Sequence, residues 1–229
     1  MIKNISKYQV ATFIAIVFHC IGLAGLLFFD KGFFIRASPF NLLLSFFLLL
    51  WTETNRNKAF LQFVIVVFLV GFLAEVLGVN TGLLFGDYSY GEVLGIKLFN
   101  VPLLIGINWF IIIYCCGLSM VILLKPAFEK MAEDDKFRTV KHAIYIVVDG
   151  ALLAVLFDWI MEPVAVKLGF WKWAADGNIP VMNYFSWLLI SLILLIFFVF
   201  ARFTKRNKFA FNLLLIQVVF FLILRIFLK

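Results

Sequence analysis

An all-α, polytopic integral-membrane bundle of about seven transmembrane helices is the fold class this sequence predicts, and three observations predict it. The chain of 229 residues is 65% hydrophobic and only 14% charged, with a mean hydropathy of +1.08. Successive apolar runs approach or exceed the ~20 residues that an α-helix needs to cross hydrocarbon. Basic residues gather between those runs, where they set orientation, and no basic face on soluble structure is visible that would read nucleic acid. Lipid offers exposed backbone no hydrogen-bond partner, so the crossings must be helical. Little sequence is left over for a soluble unit, and residues 1–229 read as a single integral-membrane domain.

The spans fall at 8–29, 38–51, 60–79, 101–124, 142–160, 182–201 and 209–227. The first follows Lys3 and Lys7 but has no small-residue cleavage site, so it reads as a retained span rather than a signal peptide. The second is short for a crossing: it is tilted, extended by its flanks, or re-entrant, and the crossings number six if it does not span. Cys20 in the first span and Cys115 and Cys116 in the fourth read as small buried side chains, not a disulfide framework. The fifth ends near Pro163, which biases the residue before it away from helix. The sixth and seventh have almost no polar punctuation and read as scaffold. Most of the 30 phenylalanines lie in spans, where lipid-facing surface accounts for them.

Placing the N-terminus on the cytoplasmic side puts 13 of the 20 basic residues there, against seven scattered on the other side. That bias is the positive-inside pattern, and seven spans then leave the C-terminus outside. The cytoplasmic connection 125–141 mixes both charges and reads as a solvated linker or interfacial helix. Connections 80–100 and 161–181 emerge together on the outer face, where side chains distant in sequence can build one pocket.

Acidic residues interrupt this apolar background. Glu75, Asp149 and Asp158 lie within or at the ends of apolar runs, although a carboxylate near a helix centre costs ~2.5–3.5 kcal/mol on insertion scales. Glu75 reads as a proton donor or as a carboxylate bonded to a neighbouring helix. Asp158 and Glu162 stand four residues apart, on one helical face, where like charges favour a shared proton and suit an acid/base pair. A metal site competes for those two residues, but the chain has only two histidines, His19 and His142, and neither is close in sequence. The same scarcity excludes the histidine-rich clusters of a membrane di-iron hydroxylase or desaturase.

The supporting candidates carry structural alternatives. Asp87 is a turn cap or a polar site residue, and Tyr88 and Tyr90 are interfacial anchors or site residues. Asn108 and Trp109 fall inside the fourth span. Asp149 reads as lying roughly on the stripe of Asp158, where it orients a water or bonds another helix. His19 is placed to bond across helices. Trp171, Trp173 and Trp187 are interfacial, or line a groove for an apolar substrate and face a developing cation.

The segments AEVLGVNTGLLFGDYSYGEVLG, VPLLIGINW, DWIMEPVAVKLGFWKW and IPVMNYFSW resemble the small integral-membrane carotenoid biosynthesis proteins that include the carotenoid 1,2-hydratases of bacteria and archaea. The likeness covers approximately residues 60–190 and adds Asn183, in the last segment, to the supporting set. It implies a multi-pass enzyme of the cell membrane that adds water to the terminal isoprenoid double bond of lycopene, γ-carotene or a related precursor. Membrane lipid and a carotenoid are the implied partners, with other carotenoid-pathway enzymes as further candidates and no nucleic acid.

Alkene hydration needs a strong acid to protonate C2, a tertiary cation at C1, and a water whose proton passes to a carboxylate. That sequence requires no cofactor and no metal. Asp158 or Glu75 is the acid, with the other, aided by Glu162, guiding the water; Tyr88, Tyr90, Trp171 and Trp173 contact the polyene end or stabilise the cation. A carotenoid cyclase would begin with the same protonation and exclude water. A proton-coupled transporter, or a lipid- or pigment-binding protein, would use the acids to carry protons or ions, although no inverted repeat is visible.

Overall fold

The computed structural model describes residues 5–130, 137–174 and 177–228. Among them are seven helices long and apolar enough to cross a membrane, consistent with a multi-pass integral membrane protein. They are α1 (Lys7–Phe28), α2 (Lys31–Thr52), α3 (Lys58–Thr81), α4 (Leu104–Glu129), α5 (Arg138–Lys167), α6 (Val181–Phe200) and α7 (Lys208–Phe227). Four short strands accompany them: β1 (Tyr88–Tyr90), β2 (Lys97–Leu98), β3 (Val101–Pro102) and β4 (Trp171–Trp173). Stretch 131–136 of the charge-mixed connection lies outside the described residues, as do Lys3, Lys136 and Lys229 of the basic set.

Polar residues at the helix starts satisfy the backbone donors that no preceding turn can reach. Ser6 and Gln9 form a capping box on α1, in which each side chain meets the other's backbone N–H. Asp30 accepts from Phe33 N at 3.0 Å to start α2, and Asn57 accepts from Phe60 N at 2.9 Å to start α3. At the far end of α3 the left-handed Gly82 closes the helix, its N–H donating to Gly78 O at 2.8 Å.

The structure gives the extent of two spans through how the chain handles its prolines and charges. The second is extended by its flanks into a helix of 22 residues, long and apolar enough to cross. Lys31 and Arg36 lower the hydropathy of its first turns, but long basic side chains at a helix end can keep their charge at the interface while the stems lie along the span. Pro39 sits inside the helix. Pro163 does not end the fifth span either, since α5 continues to Lys167. Proline removes the N–H that would have bonded the carbonyl of residue 159. Arg225 on α7 supplies the missing donor, with Nη1 2.6 Å from Trp159 O and its guanidinium 4.0 Å from the centre of the Trp159 ring.

α4 is the most buried of the seven helices, as its apolar run INWFIIIYCCGLSM requires, because a helix apolar on all sides belongs inside the bundle. It packs against α2, α3, α5, α6 and α7, while α1 packs on α2 and α7. Close approach at one crossing depends on the absence of a side chain: a Cβ on Gly71 of α3 would stand 2.4 Å from Trp109 Cγ of α4.

The connections α3–α4 and α5–α6 meet as the antiparallel pair β1–β4, with Tyr88 opposite Trp173 and Tyr90 opposite Trp171. Gly91 extends the junction, its N–H donating to Phe170 O at 2.8 Å. Strands β2 and β3 form a separate small hairpin.

Arg225→Leu is expected to lower stability by about 1 kcal/mol, the ordinary net worth of one hydrogen bond. The loss should shrink in a Pro163→Ala background, where the helix regains its own donor. Thermal unfolding of the four proteins of this cycle in one detergent checks it, and equal losses in both backgrounds would contradict it.

Candidate functional site

The C-terminal ends of α3 and α5 bring Glu75, Asp158 and Glu162 around one small pocket. All three are buried, at 5%, 0% and 2% exposure. Tyr88, Tyr90, Asn108, Trp171, Trp173 and Asn183 line the same pocket, together with Phe85, Ile105, Met161 and Trp187. Its volume is about 20 Å³, enough for a single water, which needs roughly 10–15 Å³ measured in this way.

The period-two geometry of strands explains why four aromatic side chains serve this pocket. Tyr88 and Tyr90 point to one side of β1, Trp171 and Trp173 to the same side of β4, and the intervening Ser89 and Lys172 are exposed. Each side chain then meets a carboxylate. Tyr88 and Tyr90 both donate to Glu75 Oε2, the latter at 2.7 Å, and Trp109 Nε1 donates to Glu75 Oε1 at 2.9 Å. Trp171 Nε1 and Trp173 Nε1 converge on Glu162 Oε1 at 2.6 and 2.7 Å. Trp187 stacks on Trp109 with ring centres 4.1 Å apart and fixes its plane.

The three acids are therefore not equivalent. Both oxygens of Glu75 accept bonds, from three donors in all. Asp158 has one partner on Oδ2, Asn183 Nδ2 at 2.8 Å, and its Oδ1 is buried with no donor. Asp158 and Glu162 stand one helical turn apart on α5 and both line the pocket, as their spacing predicts. A proton on one of the two is the hydrogen that such a pair needs.

Burial first, and then the adjacent Glu75 carboxylate, push the phenols of Tyr88 and Tyr90 above the usual tyrosine range. They hold their protons and serve Glu75 as donors.

A second, larger cavity adjoins this pocket. It measures about 430 Å³ and is lined mostly by apolar side chains of α1, α2, α4, α5 and α7. Ile105, Asn108, Met161 and Trp171 line both spaces. Its lining includes Phe18, Ile21, Phe33 and Phe40, all exposed on the outside of the bundle. The larger cavity thus reaches the exposed apolar surface and shares four lining residues with the carboxylate pocket.

Two expected supporting residues lie elsewhere. Asp149 is half-buried and does not line the pocket. Nine residues at ~100° each bring it about half a turn out of phase with Asp158, so the two do not share a stripe. Asp87 is exposed, and its carbonyl accepts from Ala174 N at 2.8 Å to close the end of the β1–β4 pair. It does not line the pocket.

Other residues carry no obvious mark in the sequence. Met161 could have been found from its spacing of three from Asp158, which puts both on one face. Ile105 and Phe85 look like ordinary apolar residues, and Phe85 reaches the pocket through a left-handed backbone (φ 65°) inside a turn. Glu53 reads as a solvated loop acid in TETNRN, yet it is buried and accepts from the Tyr114 hydroxyl.

Gly71→Ala should displace the Trp109 indole and weaken its bond to Glu75. Overpacking of this kind typically costs ~1–3 kcal/mol, so a lower thermal midpoint with an altered near-ultraviolet tryptophan signal is expected; an unchanged signal would contradict the packing described. For Tyr88 and Tyr90 the folded-state values lie above the unfolded ones, so their stabilisation is intact below pH ~10 and is lost only as pH rises toward the folded-state values. A Tyr88→Phe/Tyr90→Phe double variant should then show the same rise in tyrosinate absorbance as the wild type between pH ~8 and ~11. A smaller rise in the variant would mean that these phenols ionise normally.

In comparison with known proteins, a family model described as carotenoid biosynthesis protein matches residues 38–229. No curated protein and no solved structure matches the chain.

Proposed function

We propose a carotenoid 1,2-hydratase activity from one premise: this chain belongs to the family of carotenoid biosynthesis proteins. The observation that supports the reading is the adjacency of two spaces, an apolar cavity lined in part by exposed apolar side chains and a water-sized pocket ringed by three carboxyl groups, with four residues lining both. A linear isoprenoid end fits the first, and the second offers the water and the acid that hydration needs.

Asp158 is the proton donor in this reading. Its Oδ1 is buried without a donor of its own, so a hydrogen carried there is free to be delivered to an alkene. Protonation of C2 leaves a tertiary cation at C1, and the pocket water attacks C1 and forms the new C–O bond. Glu162 accepts the proton that water releases and returns it to Asp158 across the single turn that separates them, so the cycle ends with water added and no net change in the protein.

Glu75 has a different task. Three donors fix it as an acceptor, and a fixed carboxylate beside a developing cation stabilises it without having to reorganise. The faces of Tyr88, Tyr90, Trp171 and Trp173 add the attraction of aromatic rings for positive charge. Asn183 positions Asp158 by bonding Oδ2 and leaving Oδ1 for the substrate.

Asp158→Asn is expected to reduce hydration by about 10²–10⁴-fold, the usual contribution of a positioned acid, with membrane insertion and yield unchanged. Full activity in that variant would remove Asp158 from the role. Conversion of the substrate to an isomer of unchanged mass, in the wild type, would replace hydration by cyclisation.

A further inference from the structure

One polar side chain beside the carboxylates has no task in the steps above. Asn108 of α4 lines both the water-sized pocket and the large cavity. Ile105, three residues earlier, lines both as well, as two positions on one helical face should. The other polar side chains of the pocket are engaged. Tyr88 and Tyr90 serve Glu75, Trp171 and Trp173 serve Glu162, and Asn183 serves Asp158. Among the described residues that line the pocket, Asn108 is the polar side chain that forms no hydrogen bond.

An asparagine in a membrane-spanning helix is costly when nothing meets its amide. One kept to join two helices shows its bond to the neighbour, as Asn212 of α7 does in donating to Thr12 Oγ1 of α1 at 2.9 Å. Asn108 makes no such bond. It is only partly buried, and its amide atoms are not among the polar atoms sealed inside the protein. The amide is therefore open to what occupies the spaces it lines. The large cavity is walled mostly by apolar side chains and suits hydrocarbon, whereas the small pocket, about 20 Å³ in volume, is the size of one water.

We propose that Asn108 is the positioning residue for the water that is added. Its Oδ1 accepts one hydrogen of that water. Glu162 accepts the other through Oε2, since Oε1 already takes both indole hydrogens. With both hydrogens directed into the protein, a lone pair of the water oxygen is left for C1 of the alkene. As the C1–O bond forms, the O–H bond toward Glu162 breaks and its proton passes to that carboxylate. The hydrogen held by Asn108 stays on the oxygen and becomes the hydroxyl hydrogen of the product, so the amide neither gains nor loses a proton. Without the amide the water turns, and the cation more often decays by return: Glu162 takes a hydrogen from C2, and the electrons of that C–H bond restore the double bond. This role rests on the hydration chemistry proposed above, and adds to it the group that decides between water capture and return of the alkene.

The test places the purified protein in lipid nanodiscs with unlabelled lycopene and transfers them to heavy water. Mass spectrometry then measures the alcohol formed and the deuterium in the recovered lycopene, which records protonation at C2 followed by loss of the original hydrogen. Asn108→Leu is expected to form alcohol roughly 10- to 100-fold more slowly, the cost of a misplaced reactant, while the deuterium in recovered lycopene rises for each alcohol formed. Asn108→Ser, which keeps an acceptor on a smaller side chain, should shift that ratio in the same direction by less. Asp158→Asn should lose alcohol and label together, because nothing is then protonated, and a merely structural defect at position 108 would do the same. Joint loss of alcohol and label in both Asn108 variants therefore overturns the proposal. Alcohol formation in Asn108→Leu at the wild-type rate overturns the role of Asn108 alone and leaves hydration standing. A wild type that forms no alcohol overturns hydration and, with it, this role.

Discussion

Three carboxyl groups held below the surface of an apolar bundle need donors close at hand, and the end of the bundle that carries the β1–β4 pair is arranged to supply them. A buried charge without partners would be neutralised or would destabilise the fold. Tyr88, Tyr90 and Trp109 meet Glu75; Trp171 and Trp173 meet Glu162; Asn183 meets Asp158. Five elements contribute these donors and acids besides α3 itself: β1, α4, α5, β4 and α6. The β1–β4 pair is the device that lets two connections far apart in sequence act together, and the glycine at position 71 lets the α4 tryptophan come close enough to α3 to take part.

The asymmetry of that arrangement is what gives it chemical direction. Donors saturate Glu75 and leave Asp158 with an unmatched oxygen, although both sit in the same pocket and at similar burial. One acid is fixed as an acceptor and the other is left with capacity to spare, next to a partner one turn away. An apolar cavity lies beside the pocket, which has room for one water; the proposed proton transfer to an alkene rests on these features.

Much of this was legible in the sequence, for reasons tied to particular residues. Helix periodicity placed Asp158 and Glu162 on one face, and strand alternation brings Tyr88, Tyr90, Trp171 and Trp173 together once their segments pair. Hydropathy located the seven crossings. It misjudged the length of α2, because Lys31 and Arg36 depress the average without ending the helix. Pro163 read as a stop because the donor that compensates it, Arg225, lies on another helix. Asp149 was misplaced by counting two turns without following the residual angle. Phe85, Ile105 and Glu53 had no local signal at all, since their burial follows from packing between elements that only the folded chain brings together.

The most direct test of the account is the product formed when the chain is expressed in cells that make lycopene. Carotenoids would be separated by chromatography and weighed by mass spectrometry, with growth in heavy-oxygen water to label any oxygen gained. The account predicts a product heavier by one water for each reacted end, with the label in a tertiary alcohol. Unaltered lycopene, or a product of unchanged mass, would contradict it.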